Sequence, residues 1–285
     1  MEFSQTVTDL IRRRFSCRRY LDTPVGAEER GRLEAFLASN TTSPLGSTAR
    51  FHLIAATEES RQSLRGLGTY GTIRSPTAFL IGAVKPAGKS LEGFGYLMEK
   101  AVLFATDLGL GTCWLGGFFT RSSFSHAIGL TRQETIPAVI AMGYQASPTA
   151  EADIFRRIAG GAQRLPWEQL FFDGGFGIPL ASEEAGPYAD PLEMVRLGPS
   201  ASNKQPWRVV RDGTGFHFYA QRSPGYRDII KLARVVDLQR VDLGIAMCHF
   251  GLTATEMGLP GTWQVRDPRI ERRNDKAEYI VTWSR

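Results

Sequence analysis

The sequence has few cysteines and no long apolar run, and both absences limit what the protein can be. Three cysteines in 285 residues, far apart and in no paired motif, argue against a disulfide framework and a paired-cysteine metal site. The longest apolar stretches, such as residues 79–84, are far shorter than the roughly 20 residues that span a bilayer, and no apolar signal segment follows Met1. We therefore expect a cytoplasmic protein with reduced thiols and no membrane partner.

The sequence also lacks a concentrated excess of positive charge, although its net charge is +5. The basic residues are spread along the chain without a basic tail, which argues against a nucleic-acid partner. The one dense group is five arginines within residues 12–19, at the end of the first predicted helix. Such a group is either a solvated helix end, where the helix dipole favours cations, or a phosphate site. Taken alone, the group favours the helix end.

Several well-known site motifs are absent or incomplete. Residues 66–71 spell GxGxxG, but they follow a helical stretch and lead into a strand, which is the reverse of a dinucleotide-binding turn. Residues 82–90 have the wrong glycine spacing for a phosphate loop, and Pro86 removes one backbone donor. The four histidines share no metal-binding spacing, so we expect no metal site.

The sequence does contain the composition of a folded protein, with 42% hydrophobic and 22% charged residues. Its length suits one large domain or two smaller ones. Periodicity predicts helices and strands that do not alternate strictly, which favours an α+β fold with some antiparallel pairing. The predicted helices lie near residues 5–14, 27–38, 90–109, 122–129 and 228–257, and the predicted strands at 51–57, 77–84, 136–144, 207–211, 215–220 and 279–283. Residues 172–191, rich in glycine, proline and acids, are the predicted linker.

An internal repeat relates two parts of the chain. Five residues recur at a constant separation of 149, and the segments GLGTCW and GLPGTW are predicted to end one helix–turn unit that is used twice. The pairs are Gly95 and Gly244, Ala105 and Ala254, Gly109 and Gly258, Leu110 and Leu259, and Trp114 and Trp263. A weaker match relates residues 43–47 to residues 198–202. Two long copies indicate a duplicated fold and not a solenoid of short repeats.

Four segments resemble the signature of the FMN-dependent nitroreductase family. Residues 11–25, IRRRFSCRRYLDTPV, resemble its opening IxxRRSxRxYxxxPV, and residues 199–207, PSASNKQPW, resemble its PSxxNxQPW segment. Residues 109–118, GLGTCWLGGF, and 163–172, QRLPWEQLFF, resemble two further family segments. The arginine segment occurs only in the first copy and PSASNKQPW only in the second, and the corresponding place in the first copy reads SPLGSTARF.

The resemblance to the two-repeat branch of this family implies a nitroreductase-like α+β fold. In this fold, two tandem copies form an intramolecular pseudo-dimer with mixed, partly antiparallel sheets flanked by helices. We expect the first copy to span residues 1–180 and the second, shorter and degenerate copy to span residues 181–285. In the family, FMN lies at the interface of two subunits. The divided signature therefore implies one competent flavin site between the copies and a monomeric chain.

By resemblance, the flavin site draws on both copies. Its expected cofactor-binding residues are Arg14, Ser16, Arg18, Gly116, Gly117, Arg164, Pro199, Ser200, Ser202, Asn203 and Gln205. The arginines and Ser16 would hold the phosphate, the ribityl chain and the ring edge, since a phosphate needs several charged donors. The second-copy residues would line the other flank of the ring, and the backbone of Gly117 would approach the ring, where glycine permits close contact. Phe15 departs from the arginine or histidine usual in the family.

The resemblance implies an enzyme, an FMN-dependent oxidoreductase. It would pass hydride from NADH or NADPH through the flavin to a small acceptor, such as a nitro compound or a quinone, in a ping-pong cycle. No side chain needs to be catalytic, since the flavin performs the chemistry. A flavin-binding storage or sensor protein without turnover is the alternative, and the altered Phe15 position leaves room for it. For Trp114 and Trp207, packing in the core is the expected role.

Overall fold

The computed structural model of the protein describes residues 3–117, 119–146, 163–213, 215–226, 236–271 and 277–285. The α-helices in these ranges are α1 Val7–Arg13, α2 Ala27–Ser39, α3 Ser90–Asp107, α4 Arg121–Ala127, α5 Ala189–Leu197 and α6 Leu238–Glu256. The strands are β1 Ala49–Ala55, β2 Ala78–Val84, β3 Gly111–Leu115, β4 Val139–Gly143, β5 Phe171–Asp173, β6 Trp207–Asp212, β7 Gly215–Gln221, β8 Thr262–Gln264 and β9 Ala277–Ser284.

The strands form two sheets that repeat one arrangement. The first sheet has the order β1-β2-β4-β3, with every neighbouring pair antiparallel. The second sheet has the order β5-β6-β7-β9-β8, in which β6 to β8 follow the same order and are again antiparallel. Only β5 adds a parallel pair, at the outer edge of β6. The two sheets confirm the predicted α+β fold, its duplication and its mixed pairing.

Helices α3 and α6 pack against each other at the centre of the molecule, and a glycine from each makes the contact possible. A Cβ atom on Gly95 would lie 2.1 Å from the carbonyl oxygen of Val241, and a Cβ atom on Gly244 would lie 2.0 Å from the carbonyl oxygen of Glu92. Glu92 and Val241 are themselves equivalent positions of the repeat, 149 residues apart, so the two contacts are copies of each other. The crossing is therefore a pseudo-twofold contact, as the predicted pseudo-dimer requires.

The segment at the start of α1 lies across the ends of both central helices. The backbone N–H of Ser4 donates to Asp107 Oδ2 at 2.6 Å, and the backbone N–H of Val7 donates to Glu256 Oε1 at 2.9 Å. Asp107 ends α3 and Glu256 ends α6, at equivalent positions of the repeat. Glu256 thereby satisfies one of the N–H groups that a helix start leaves without an intrahelical partner, and Asp107 holds the segment just before it. The first helix is thereby tied to both copies.

The hydrophobic core is continuous across the two copies. Almost every residue of α3 and α6 is buried, as expected of helices covered on all sides. Trp207 is fully buried among these side chains, and Phe250, Trp263 and Trp283 form edge-to-face ring contacts beside it in the same core. The packing role expected for Trp207 agrees with this burial. Trp114 is only partly buried and packs on the edge of this core.

The structure differs from the predicted elements mainly at short strands. Residues 111–115 and 262–264 are strands, so the repeated unit is helix–turn–strand and not helix–turn alone. Gly109 and Gly258 make the turns, with φ of +80° and +68° that favour glycine. Helix α6 begins at Leu238 because the Asp237 side chain accepts from the Arg240 N–H as an N-cap. The predicted helical residues 228–235 lie outside the described residues.

The predicted linker, residues 172–191, contains parts of two elements. It begins within β5, which pairs with β6 and so belongs to the second sheet, and it ends within α5. The contact of β5 with the second sheet lies ahead of residue 180, where the first copy was expected to end. In the described ranges, every helix is too short or too polar to cross a membrane.

Candidate functional site

Arg14 is a buried cation at the end of α1. Its side chain is 5% exposed, and its Nε atom lies 3.7 Å from Glu99 Oε1 of α3. Glu99 is itself fully buried, accepts from Trp114 Nε1 at 2.7 Å and lies 3.0 Å from His249 Nε2 of α6. Among the described residues, Arg14 Nε makes no hydrogen bond. The guanidinium is therefore oriented by a buried carboxylate through its Nε, and its two other nitrogens are the donors that could meet an anion.

Ser16 and Arg18 are placed by strand β3. Ser16 forms a parallel bridge with Thr112, and the backbone N–H of Cys17 donates to the Thr112 carbonyl at 2.8 Å. Burial raises the pKa of the Cys113 thiol to about 11, although the charges of Arg18 and Arg14 act in the opposite direction. Both arginines therefore lie within electrostatic reach of one residue of β3.

Arg164 links the first-copy arginine to the second copy. Its Nη2 donates to the Leu197 carbonyl at 3.0 Å and its Nη1 to Asn203 Oδ1 at 3.4 Å. Burial, together with the nearby charges of Arg14 and Arg196, lowers the pKa of Arg164 to about 10. Partly buried like charges repel unless an anion lies between them. The Arg14–Arg164 pair is therefore a candidate anion site at the junction of the copies.

The loop of residues 199–205 is fixed by polar contacts to the segment that carries Arg164. The Gln205 side chain accepts from the Leu165 N–H at 2.8 Å, and Asn203 Nδ2 donates to the Gln163 carbonyl at 2.9 Å. Within the loop, Ser200 Oγ accepts from the Gln205 N–H at 2.9 Å. Asn203 and Gln205 therefore shape this face of the site together with Arg164.

This loop has a strained backbone. Ser202, Asn203 and Gln205 have φ of 50°, 53° and 45°, in the left-handed region that favours glycine. Each such residue costs on the order of 1–3 kcal/mol, and strain of this kind persists only where the surroundings fix the conformation. It is concentrated at functional sites in proteins. Here it coincides with the segment that the family resemblance predicts to bind the flavin.

Asp242 of α6 supports the loop from beneath, and sequence reasoning did not nominate it. The side chain is buried, and Oδ1 accepts from the Ala201 N–H at 3.0 Å. Burial raises the pKa of the Asp242 carboxyl well above its ordinary value. Its Oδ2 is also buried and makes no hydrogen bond to a described residue. An acid in the middle of an apolar helix was the one signal that could have identified it.

The turn after β3 brings Gly116 and Gly117 to the start of α6. A Cβ atom on Gly116 would lie 2.5 Å from a Leu238 methyl carbon, so a larger residue there would collide with the second copy. Gly117 is exposed, and a Cβ atom there would meet nothing within 4 Å. Arg121 donates to the Gly116 carbonyl at 3.2 Å and fixes the turn.

The nominated residues thus fall into two groups. Arg14, Arg164, Asn203 and Gln205 form a linked set across the junction of the copies. Ser16 and Arg18 run along β3, and the two glycines follow its end, as described above. In the described part of the chain, Pro199 and Ser202 make no hydrogen bond or ion pair to the first-copy arginines. Pro199 and Ser200 are half-buried, whereas Ser202 is exposed.

Comparison with known proteins relates nearly the whole chain to one family. Residues 6–254 match a family described as "Putative TM nitroreductase". No curated protein sequence matches significantly. A solved "putative nitroreductase" from Thermotoga maritima is 19% identical, with 98% of this chain and 94% of that chain covered and a TM-score of 0.62, which shows a shared fold.

Two further solved structures cover part of the chain. An oxidoreductase containing FMN is 16% identical, with 62% of this chain and 96% of that chain covered and a TM-score of 0.49. A "putative nitroreductase" in complex with FMN, from Desulfovibrio desulfuricans, is 23% identical, with 53% of this chain and 95% of that chain covered and a TM-score of 0.39.

Proposed function

The chain belongs to the TM nitroreductase family, and from this premise we propose that it is an FMN-dependent oxidoreductase. In this proposal one FMN binds between the two copies of a monomeric chain. The donor is NADH or NADPH, and the acceptor is a small molecule such as a nitro compound or a quinone. The two half-reactions follow each other in a ping-pong cycle.

The observation that carries the proposal is the pair of arginines at the junction of the copies. Arg14 and Arg164 are close enough to influence each other's charge, and the Arg14 side chain is buried while Arg164 is half-buried. Two neighbouring guanidinium groups suit a phosphate, which carries up to two charges and accepts several hydrogen bonds. The residues present therefore fit the phosphate end of FMN.

The remaining residues fit the rest of the cofactor. Ser16 and Arg18 would bind along the ribityl chain and ring edge, and the exposed backbone of Gly117 would approach the ring. The loop of residues 199–205, with Ser200, Ser202, Asn203 and Gln205, would cover the other flank, beginning at Pro199. When bound, FMN supplies the hydride chemistry, and the protein supplies orientation and the surrounding charges. No side chain of the chain needs to transfer a proton in this scheme.

Flavin titration of the purified full-length chain tests the binding half of the proposal. Because the arginine segment and the strained loop each occur once, we expect one FMN per chain. Two FMN per chain would contradict the divided site, and one FMN per two chains would mean that a second chain completes it. An absence of binding would refute the proposed cofactor.

Turnover tests the catalytic half. Steady-state oxidation of NADH or NADPH by the FMN-loaded chain, with a quinone or nitroarene as acceptor, is expected to proceed at well above the rate of free FMN. A chain that binds FMN stoichiometrically but oxidises neither nucleotide would instead be the storage or sensor protein.

A further inference from the structure

Two equivalent positions on the central helices differ between the copies. Gly93 of α3 and Asp242 of α6 are related by the same separation of 149 that relates the other repeated residues. Each position faces the loop that precedes the first core strand of its own copy. These loops, residues 43–47 and 199–205, overlap the segments 43–47 and 198–202 that the weaker repeat relates. The two positions therefore offer a direct comparison of how each loop is held.

In the first copy the loop rests directly on the helix. A Cβ atom on Gly93 would lie 1.8 Å from Ser47 Oγ and 2.8 Å from Ser43 Oγ, so the loop occupies the space of a side chain. The loop closes on itself through Ser43 N–H to the Ser47 carbonyl at 2.9 Å and a hydroxyl–hydroxyl contact of 2.8 Å. Its one left-handed residue is Gly46, at φ +77°. This loop is relaxed and needs no support.

In the second copy the loop is held by a side chain on the helix. The Asp242 carboxyl stands where the first copy has no side chain, and its Oδ1 accepts from the Ala201 N–H, directly before the left-handed residues Ser202 and Asn203. Without that acceptor, the Ala201 N–H would lose its hydrogen bond, which costs about 1–3 kcal/mol for a buried group. Nothing else in the described contacts fixes this peptide from the side of α6.

We propose that Asp242 is a positioning residue that holds loop 199–205 in its strained, flavin-binding conformation, and that glycine at position 93 lets the corresponding loop collapse. The assignment rests on the proposed function. It adds Asp242 of α6 to the proposed site. It also explains why only one copy has a site, since Asp242 supports the loop of the second copy and Gly93 leaves the loop of the first copy without such support. The first copy would be incompetent even if its loop carried the missing asparagine and glutamine.

The surroundings of Asp242 suit a carboxyl that acts as a fixed support. Asp237 on the preceding turn and the hydroxyl of Tyr226 are the titratable groups that interact with it. Neither is a cation, so the carboxyl is not neutralised by an ion pair with them. An asparagine of the same shape retains an acceptor oxygen for the Ala201 N–H, whereas an alanine does not. These two substitutions separate the hydrogen bond from the charge.

The test compares Asp242→Ala, Asp242→Asn and a control, Thr253→Ala, in the full chain. Thr253 is also fully buried on α6, and its hydroxyl makes no hydrogen bond to a described residue, so its loss perturbs the same helix away from the loop. FMN dissociation constants are measured by flavin fluorescence, with melting temperatures as a check of folding. We expect Asp242→Ala to weaken FMN binding at least about tenfold, and the other two variants to stay within about threefold of wild type.

Hydrogen exchange on flavin-free protein supplies a readout that does not depend on the cofactor. Peptides that cover residues 199–205 should exchange faster in Asp242→Ala than in wild type, Asp242→Asn or Thr253→Ala. Unchanged exchange and unchanged FMN affinity in Asp242→Ala would each overturn the assignment, as would equal FMN weakening by alanine and asparagine. If wild type binds no FMN, the proposed function fails, and the exchange rates alone still decide whether Asp242 holds the loop.

Discussion

Gly95 and Gly244 occupy the same place in the two copies and make the same contact, each with the backbone of the other's helix. Two residues earlier, Gly93 and Asp242 also occupy equivalent places, but one lies under a relaxed loop and the other under a strained loop. The difference reflects what each position must satisfy. A helix crossing involves both copies at once, so neither glycine can change without affecting the other copy. In the proposed function the flavin needs one such flank, so the second copy alone has to keep it.

The largest effect, a loss of stability, is expected at the helix crossing, where both copies keep the same glycine. Gly95→Ala and Gly244→Ala should each lower the free energy of unfolding by about 3 kcal/mol, because the new methyl group collides with a backbone carbonyl that cannot move aside. Chemical denaturation measures both. Gly31→Ala, in an exposed turn of α2 with nothing near the new methyl group, should instead stabilise the chain by up to about 1 kcal/mol. Unequal losses at the two central glycines would show that the crossing is not symmetric in energy.

The next largest effect, a loss of FMN affinity, is expected on the first-copy side of the candidate site. Arg14→Ala should raise the FMN dissociation constant by about one to two decades, since a charge-assisted hydrogen bond contributes about 1.5–3 kcal/mol. Riboflavin, which lacks the phosphate, should bind almost unchanged. Arg12→Ala is the control, because Arg12 is an exposed arginine on the same helix. Equal weakening of FMN and riboflavin would make Arg14 a structural residue and return the arginine cluster to the role of a solvated helix end.

A smaller effect is expected on the second-copy side, at Asn203. Asn203→Gly removes the amide but accepts the left-handed backbone at φ 53°, whereas Asn203→Ala removes the amide and adds strain. Isothermal titration with FMN should show a loss of about threefold to tenfold for the glycine variant and a larger loss for alanine. If the glycine variant binds as wild type does, the Asn203 amide contributes nothing to the flavin, and only the loop backbone matters.

The smallest effect concerns the pH dependence of stability at Asp242. The folded protein holds the pKa of this carboxyl above its unfolded value, mainly through burial and in spite of the Ala201 N–H. The unfolded chain therefore releases the proton first as pH rises, and wild type loses stability above the ordinary pKa of aspartic acid. Asp242→Asn has no such loss, so its melting temperature relative to wild type should rise from pH 4 to pH 7 in flavin-free protein. A constant difference would mean that folding does not raise the pKa of this carboxyl.

The repeat could be predicted from the sequence because its signals are local and strict. Gly95, Gly244 and the glycine turns at Gly109 and Gly258 are required by contacts or backbone angles that accept almost no other residue. The short strands β3 and β8 could not be predicted, since three to five residues give little periodicity. The position of β5 in the second sheet depends on a partner strand more than thirty residues away, and no local pattern encodes that choice.

The candidate site was predictable only in part for a similar reason. Motif segments supplied Arg14, Arg164, Asn203 and Gln205, which the structure joins through hydrogen bonds and charge. Glu99 and Asp242 act on those residues from the central helices, and each is one of a few acids on a largely buried helix. A single acid carries no spacing signal, so its role becomes visible only when the fold shows what it contacts.

The bond between the Val7 N–H and Glu256 has a consequence for how the chain is made. It joins residues 249 positions apart, nearly the full length of the chain. Synthesis proceeds from the first residue, so α1 emerges from the ribosome long before the carboxylate that completes its docking. Until α6 has been translated and packed, α1 lacks one of its anchoring hydrogen bonds, and Arg14 at its end is not yet fixed in position. The candidate anion site is therefore among the last parts of the molecule to form, and a nascent chain stalled before α6 is expected not to bind the proposed cofactor.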